Sequence, residues 1–186
     1  HICHLSTGEM LREYAAQDTP LGRDLKALLD KGEFATDEMI IEMVRNRIGQ
    51  PDCEHGFILD GYPRTLPQAE VLESLLAEKG IKLTCVFEIQ VPDEIIMERI
   101  LGRYSCLKCG AGYHDKFQKP KVYGVCDVCG GTEFGRRKDD NRATVQNRLV
   151  NYRLLTYPTI PFFEKRGLLR TVDGTGTIEA VSHKID

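Results

Sequence analysis

The sequence predicts an α/β fold in which a parallel sheet is flanked by helices. Three apolar runs of strand type, at 56–60, 84–91 and 168–172, alternate with segments whose apolar residues recur at helical spacing. Helices between strands are typical of parallel sheets, because the chain must cross back before the next strand begins. Residues 104–138 lose the helical periodicity and are rich in Cys, Gly and Lys, which indicates a small insertion.

Capping residues mark the predicted helix starts. Ser6 or Thr7 precedes the first apolar stripe, Thr19 precedes the second and Thr36 the third. Hydroxyl groups at such positions accept hydrogen bonds from the unpaired N–H groups of the first turn. Further helices are expected from Leu66 to about Lys79, from Asp93, from Asp140 to about Tyr157 with Pro158 and Pro161 bending or dividing its end, and over 177–186.

Composition limits the function classes. A chain of 186 residues with 41% hydrophobic residues fits one domain with a small inserted lobe. The net charge of −3 gives no sign of bulk nucleic-acid binding. No run reaches the ~20 apolar residues of a membrane helix, and no signal peptide is visible, so we expect no membrane partner and a cytoplasmic protein. The odd number of seven cysteines, with Cys3, Cys53 and Cys85 scattered along the chain, favours a reducing compartment over a disulfide scaffold.

The segment from Phe57 to Arg64 is the most informative stretch. An apolar strand ends in Asp60, and Gly61 and Pro63 separate this carboxylate from the arginine. Ligands of parallel sheets bind beyond the carboxyl ends of the strands. Asp60 there suits the waters of a magnesium ion, and Arg64 suits a phosphate. The simpler interpretation is a Gly-Pro turn in which Asp60 only caps the next element.

Four cysteines predict a structural metal site. Cys106 and Cys109 form one Cys-x-x-Cys-Gly knuckle and Cys126 and Cys129 form another, with sixteen residues between Cys109 and Cys126. Four thiolates complete a tetrahedral site with no open position, as in structural zinc centres. Two disulfides or unliganded thiols are the alternatives, and the nearby His114 is an alternative ligand, although an exposed or nucleotide-contacting His is simpler.

Several arginines lie beside predicted turns or at the ends of predicted elements. Each one alone is most simply a solvated surface charge. Phosphoryl transfer, however, needs positive charge gathered around the phosphates, and arginines converging on one cleft would supply it. The candidates are Arg12, Arg64, Arg99, Arg103, Arg137 and Arg148.

These motifs, in their order, resemble the adenylate kinase family in its bacterial form with a long, zinc-containing lid. The resemblance covers nearly the whole chain and implies a fold like that of the P-loop nucleoside monophosphate kinases. It also implies a single monomeric kinase domain that transfers a phosphoryl group reversibly from MgATP to AMP, giving two ADP. The matching segments are 5–12, 60–64, 67–68, 91–95, 102–103, 137–140, 144–148 and 172–175.

The resemblance also implies residue roles. Arg12 and Arg64 would hold the AMP phosphate, Gln68 would read the adenine edge, and Asp60 would steady magnesium through water. Residues 6–35 would form the mobile AMP-binding part and residues 102–140 the lid, braced by zinc. The full AMP set is Thr7, Arg12, Glu33, Phe34, Ala35, Gly61, Tyr62, Pro63, Arg64, Gln68, Arg137 and Arg148; the ATP set is Arg99, Arg103, Gly112, Tyr113 and Gly176; and the catalytic set is Asp60, Arg64, Arg99, Arg103, Arg137 and Arg148.

One departure from the family concerns its phosphate-binding loop. Family members begin with a strand and a Gly-rich loop that cradles the β-phosphate, and this sequence contains no Gly-x-x-x-x-Gly-Lys pattern. We therefore expect an N-terminally incomplete copy that is nearly inactive as written. A smaller departure lies at residues 33–35, where the family's apolar pair usually ends in Val.

Other functions stay open at the level of sequence. A kinase for UMP or CMP would share most of the motifs, although Gln68 and the long lid favour AMP. The absent loop is compatible with a non-catalytic, zinc-braced module that binds a nucleotide or a partner. A zinc-ribbon nucleic-acid binder is a weaker alternative, because the lysines of the insertion form no stripe with interleaved aromatic residues.

Overall fold

The computed structural model describes residues 2–31 and 35–185, without the side chain of residue 21. Two pairs of parallel strands form the base of the fold. β1 (Cys3–Ser6) pairs with β2 (Phe57–Asp60), and β3 (Val86–Gln90) pairs with β7 (Leu169–Asp173). The predicted parallel arrangement is confirmed, but within the described residues the strands form two separate pairs.

The strand β1 was not expected from the sequence. It is only four residues long, and the polar His4 and Ser6 alternate with Cys3 and Leu5, so it carries no apolar run. Its register with β2 sets Ser6 opposite Asp60, which places the carboxyl ends of both strands side by side.

Helices connect the strands, and a hydroxyl side chain caps the N-terminus of each of the first four α-helices. Ser6, Thr19, Thr36 and Thr65 each accept a hydrogen bond from the N–H group three residues ahead, at 3.0–3.4 Å. The capping prediction is therefore confirmed, with Ser6 rather than Thr7 as the first cap. The helices are α1 (Thr7–Ala15), α2 (Pro20–Lys31), α3 (Asp37–Ile48), α4 (Leu66–Glu78), α5 (Asp93–Leu101), α6 (Arg142–Asn151), α7 (Thr159–Glu164) and α8 (Ile178–Ile185), with a 3₁₀ turn at Pro51–Cys53.

The helix expected over 140–157 is divided. After α6, the segment Tyr152–Thr156 widens into a π-helical turn, and Pro158 directly precedes α7. Pro161 lies in the first turn of α7, where backbone N–H groups have no acceptor within the helix, so a proline there removes no helical hydrogen bond. The prolines therefore divide the helix as predicted, but the chain after Pro158 is helical again.

The insertion forms a separate small lobe, called here the cysteine lobe (residues 102–140). Its strands β4 (Arg103–Cys106), β5 (Gly112–His114) and β6 (Phe134–Gly135) form an antiparallel sheet with β4 in the centre. Its small core consists of Cys106, Tyr113 and Cys126, with Tyr104 and Phe134 packed against them.

The main apolar core lies between the β1–β2 pair and the first four helices. Leu5, Val44 and Leu72 are nearly inaccessible to solvent at its centre. This core supports the strand ends that carry Thr7 and Asp60. None of the helices in the ranges 2–31 and 35–185 is long and apolar enough to cross a membrane.

Candidate active site

The carboxyl ends of β1 and β2 are joined by a buried hydroxyl group. Thr7 follows β1 directly, and its Oγ1 lies 3.2 Å from the Asp60 carbonyl oxygen and 3.0 Å from that of Gly61, within donating distance of both. The side chain is buried, so these are its available partners. Thr7 therefore ties the start of α1 to the turn after β2.

Asp60 presents its carboxylate at this edge of the sheet. The side chain is 57% exposed, and its Oδ2 lies 3.2 Å from Nε2 of His4. An exposed carboxylate at a strand end keeps the lone pairs needed to hold water molecules of a magnesium ion. The sequence did not predict a role for His4, because the short strand β1 that places it beside Asp60 carries no apolar run.

The turn from Gly61 to Arg64 needs glycine at its first position. Gly61 has φ +73°, and a Cβ there would lie 2.9 Å from an Nη atom of Arg64. The space is used by the guanidinium group, whose Nε donates to the Gly61 carbonyl at 2.8 Å. Tyr62 is buried and donates from its hydroxyl to the Gln68 carbonyl, and the Tyr62–Pro63 peptide bond is cis.

Five of the six candidate arginines lie in two overlapping electrostatic neighbourhoods. Burial and then the nearby charge of Arg148 lower the pKa of Arg64, against the opposing effect of Asp60. Burial, Arg137 and Arg103 lower the pKa of Arg12, against Asp139 and Glu9. Like charges this close repel one another, so the arrangement is stabilised when an anion binds among them.

Two consecutive acids bind arginines of this group, and Asp139 links the two neighbourhoods. Asp139 pairs with Arg148, and although burial opposes ionisation, the pKa of Asp139 is lowered by that hydrogen bond and by the charges of Arg148 and Arg103. Asp140, with a side chain only 2% exposed, accepts bonds of 2.5 and 2.6 Å from Arg103 and so joins the two ends of the cysteine lobe. Sequence reasoning gave these acids no role, although their position between Arg137 and Arg148 could have indicated one.

Arg99 makes a different set of contacts. Its guanidinium donates to the carbonyl oxygens of Gly174, Thr175 and Gly176 at 2.7–3.0 Å. The structure thus brings Arg99 and Gly176, two residues of the predicted ATP set, together at the loop after β7.

Gln68 is buried, and both ends of its amide are bonded. The side chain is 3% exposed; its Oε1 accepts from the Arg64 N–H group at 2.8 Å, and its Nε2 donates to Asp37 at 2.7 Å. The other oxygen of Asp37 accepts from Thr65 at 3.0 Å. Asp37 was not expected to have a role beyond starting a helix, and nothing in its local sequence links it to Gln68.

One further predicted AMP contact, Ala35, lies just before α3. Ala35 is buried in the main core, just before the Thr36 cap. Glu33 and Phe34 lie outside the described residues, so their predicted role is not tested.

The four cysteines of the lobe form one cluster. The sulfurs of Cys106 and Cys129 are 3.6 Å apart, as are those of Cys109 and Cys126, and all four lie within 4.8 Å of one another. Thiolates bound tetrahedrally at about 2.3 Å would be about 3.8 Å apart, so the sulfurs fit a zinc ion. All seven cysteines of the chain are free thiols, which excludes the predicted alternative of two disulfides in this structure.

Each knuckle turns at its glycine. Gly110 and Gly130 have φ +75° and +68°, and their N–H groups donate to the Cys106 and Cys126 carbonyls at 2.9 Å. This geometry explains the glycine after each Cys-x-x-Cys, because L side chains disfavour positive φ.

Two other candidates of the lobe have structural partners. Tyr113 is buried; its hydroxyl donates to Cys126 Sγ at 3.4 Å and accepts from the Asp127 N–H group at 2.7 Å, while Gly112 beside it is exposed. The hydrogen bond from Tyr113 lowers the pKa of Cys126 to about 6, which favours the thiolate. His114 was expected to be exposed or to contact nucleotide. It is not exposed, because it is buried and stacks on Phe117, and it lies outside the four-sulfur cluster. The nucleotide contact stays a prediction.

The fold and the site together indicate a class of protein. Parallel strand ends that face grouped arginines and an exposed carboxylate have the architecture of a phosphate-binding α/β protein.

Comparisons with known proteins identify the family. The family model for adenylate kinase matches residues 1–168. An adenylate kinase of Paramagnetospirillum magneticum is 50% identical over 185 residues, covering 100% of this chain and 85% of that protein. The adenylate kinase of Allorhizobium ampelinum is 50% identical over 100% of this chain and 86% of its own length. That of Carboxydothermus hydrogenoformans is 52% identical over 97% of this chain and 84% of its own length. The chain belongs to the adenylate kinase family and is a phosphotransferase.

Proposed function

We propose that the chain carries the nucleotide sites for reversible phosphoryl transfer from MgATP to AMP, which yields two ADP. The observation that supports this most is the grouping of Arg12, Arg64, Arg103, Arg137 and Arg148. Burial first, and then the charge of neighbouring arginines, lower the pKa values of Arg12 and Arg64. Such a group is costly without an anion, and the phosphates of two nucleotides would supply one.

The AMP phosphate would lie between Arg12 and Arg64, with Arg137 and Arg148 reaching the phosphates that are exchanged. The turn 61–63, Thr7 and the backbone near Ala35 would complete this side. Arg64 and Asp37 each use one hydrogen-bonding position of the Gln68 amide. The second N–H group and the second oxygen lone pair of this amide would read the adenine edge.

ATP would lie between Arg99, Arg103 and the loop at Gly176, with the exposed Gly112 and the neighbouring Tyr113 backbone covering it. Asp60 would hold the waters of Mg²⁺, which neutralises phosphate charge when it is bound. The four lobe cysteines would hold Zn²⁺ in a purely structural role, since no ligand position is left open.

The parts of the chain would divide this work as follows. Residues 6–35 would move as the AMP-binding part, and the cysteine lobe would act as the lid that excludes water from the transfer. We propose that the protein is a monomer, and the seven free thiols support a reducing compartment such as the cytoplasm.

Replacement of Arg64 tests the proposal. Arg64→Ala removes a charged contact to phosphate and should weaken AMP binding on the order of tenfold to a hundredfold. Arg170→Ala is the matched control, because within the described residues the Arg170 guanidinium donates to the carbonyl oxygens of Gly167 and Leu169, at the start of its own strand. Calorimetry with AMP, ADP, UMP and CMP should show the loss in the first variant alone and a preference for adenine nucleotides. Equal binding by the two variants, or a preference for a pyrimidine, would contradict the proposal.

The low activity expected from the sequence stays a prediction with its own test. We propose that transfer needs a Gly-rich phosphate-binding segment, a pattern that the printed sequence does not contain. ADP formation should be slow for the chain as printed and much faster when it is preceded by an added strand and loop that contain a Gly-x-x-x-x-Gly-Lys pattern. Equal rates for the two proteins would show that the expectation is wrong.

A further inference from the structure

Two thiols outside the cysteine lobe lie against each other. Cys3 is the first residue of β1, and Cys53 ends the 3₁₀ turn before β2. Their sulfur atoms are 2.9 Å apart, although the residues are fifty positions apart in the chain. Cys53 is 3% exposed, whereas Cys3 is partly exposed, so a small reagent reaches the pair through Cys3.

The surroundings of the pair distinguish a redox site from a second metal site. Arg47 donates to the Cys53 sulfur at 3.2 Å and, with the same guanidinium group, to both oxygens of Asp52 at 2.8 and 2.6 Å. Asp52 would be the third ligand of a metal ion here, but it is already bound by a cation, and a second positive charge would be repelled. A guanidinium next to sulfur instead stabilises the negative charge that develops during thiol oxidation.

The two thiols also differ in reactivity. Burial, followed by the neighbouring Cys3, raises the pKa of Cys53 to about 12, so Cys53 remains a thiol at neutral pH. Cys3 is the more exposed sulfur and is therefore the one that meets an oxidant first.

We propose that Cys3 and Cys53 form a site of reversible oxidative modification, in which a hydroperoxide converts the two thiols to an intramolecular disulfide. The Cys3 thiol attacks one peroxide oxygen, the O–O bond breaks, and the thiol proton goes to the departing oxygen, which gives a sulfenic acid and releases water or an alcohol. The Cys53 sulfur then displaces the sulfenic hydroxyl group, which leaves as a second water with the thiol proton. A small thiol such as glutathione reverses the bond in two exchange steps and is itself oxidised to its disulfide.

The bond would enclose the segment 3–53, which contains α1, α2 and α3. The disulfide would form at the amino end of β1, whereas Thr7 and Asp60 lie at its carboxyl end. The four residues of this strand separate its two ends by about 10 Å. Oxidation should therefore raise the thermal midpoint of unfolding and leave the phosphate-binding turn in place, because a cross-link restricts the unfolded chain.

Site-resolved mass spectrometry tests the proposal. The zinc-loaded full chain is treated with hydrogen peroxide, alkylated under denaturing conditions, digested and compared with untreated protein. The expected result is a linked peptide pair containing Cys3 and Cys53 that glutathione separates again, together with a higher unfolding temperature. Cys85→Ser, the matched control outside both clusters, should behave like the parent, whereas Cys3→Ser and Cys53→Ser should show neither change.

Several outcomes would overturn the proposal. One is that Cys3 and Cys53 are both alkylated, and so still reduced, under conditions that oxidise the lobe cysteines. Another is that sulfinic acid or a glutathione adduct accumulates at Cys3 without the link between the two cysteines. A third is a disulfide that joins two copies of the chain. Zinc binding beyond one equivalent that protects both thiols, and is lost in Cys3→Ser, would assign the pair to a metal instead.

Discussion

At the scale of single residues, the site depends on side chains that hold other side chains in place. The predicted role of Gln68 in reading adenine comes from the resemblance of its motif to the family and stays a prediction. Its orientation could not be predicted from the sequence, because it depends on Asp37, which lies 31 residues earlier and on another helix. Pairs of this kind form only when packing brings distant segments together.

Asp37 should act as a positioning residue for adenine selection. Asp37 accepts from Gln68 with one oxygen and from Thr65 with the other. In Asp37→Asn a single acceptor oxygen is left for these two donors, so the Gln68 amide is no longer held in one orientation. We expect weaker AMP binding on the order of tenfold, a higher KM for AMP in the complete enzyme, an unchanged KM for ATP, and less discrimination against IMP.

Asp37→Glu keeps the acceptor and should recover part of this discrimination. Unchanged AMP and IMP affinities in Asp37→Asn would show that the hydrogen bond has no part in selection, and an equal loss for ATP and AMP would indicate a general structural effect.

Gly61 offers a second test at this scale. Gly61→Ala strains a positive φ and places a Cβ against Arg64, whereas Gly80→Ala strains a similar φ of +66° with no atom within 4 Å. Both variants should lose about 1 kcal/mol of stability, but only Gly61→Ala should also lose affinity for AMP. Thermal unfolding and calorimetry separate the two effects, and an equal AMP affinity in both variants would contradict the contact.

At the scale of elements, periodicity and caps could predict most helices, because these signals are local. The strand β1 could not be predicted, since four mixed residues become a strand only by pairing with β2. The same holds for His114, whose burial depends on stacking with Phe117 and on close contact with Gly102. The cysteine lobe was predictable because its four ligands occur as two local knuckles.

Loss of the metal should unfold the cysteine lobe. Cys109→Ser removes one thiolate from a lobe whose own core has few residues, so zinc content should fall and the lobe should become sensitive to protease. Cys85→Ser is the control, because it changes a thiol outside the cluster. A chelator should reproduce the effect in the parent chain, and a lobe that stays protease-resistant without metal would show that its apolar core suffices.

At the scale of the whole molecule, the fold gathers positive charge from distant elements. Arg12 comes from α1, Arg64 from the turn after β2, Arg103 and Arg137 from the two ends of the cysteine lobe, and Arg148 from α6. The sequence could suggest that such arginines converge, but not that Asp139 and Asp140 hold two of them. Nor could it show that Arg99 contacts the loop after β7.

The most direct test of the account is an NMR titration of the arginine Nε–H signals with MgADP. We predict that the signals of Arg12, Arg64, Arg103, Arg137 and Arg148 all shift at saturating MgADP, whereas those of Arg23 and Arg170, exposed on the surface, stay unchanged. Shifts spread evenly over surface arginines, or a member of the group that does not respond to MgADP, would contradict a shared polyphosphate site.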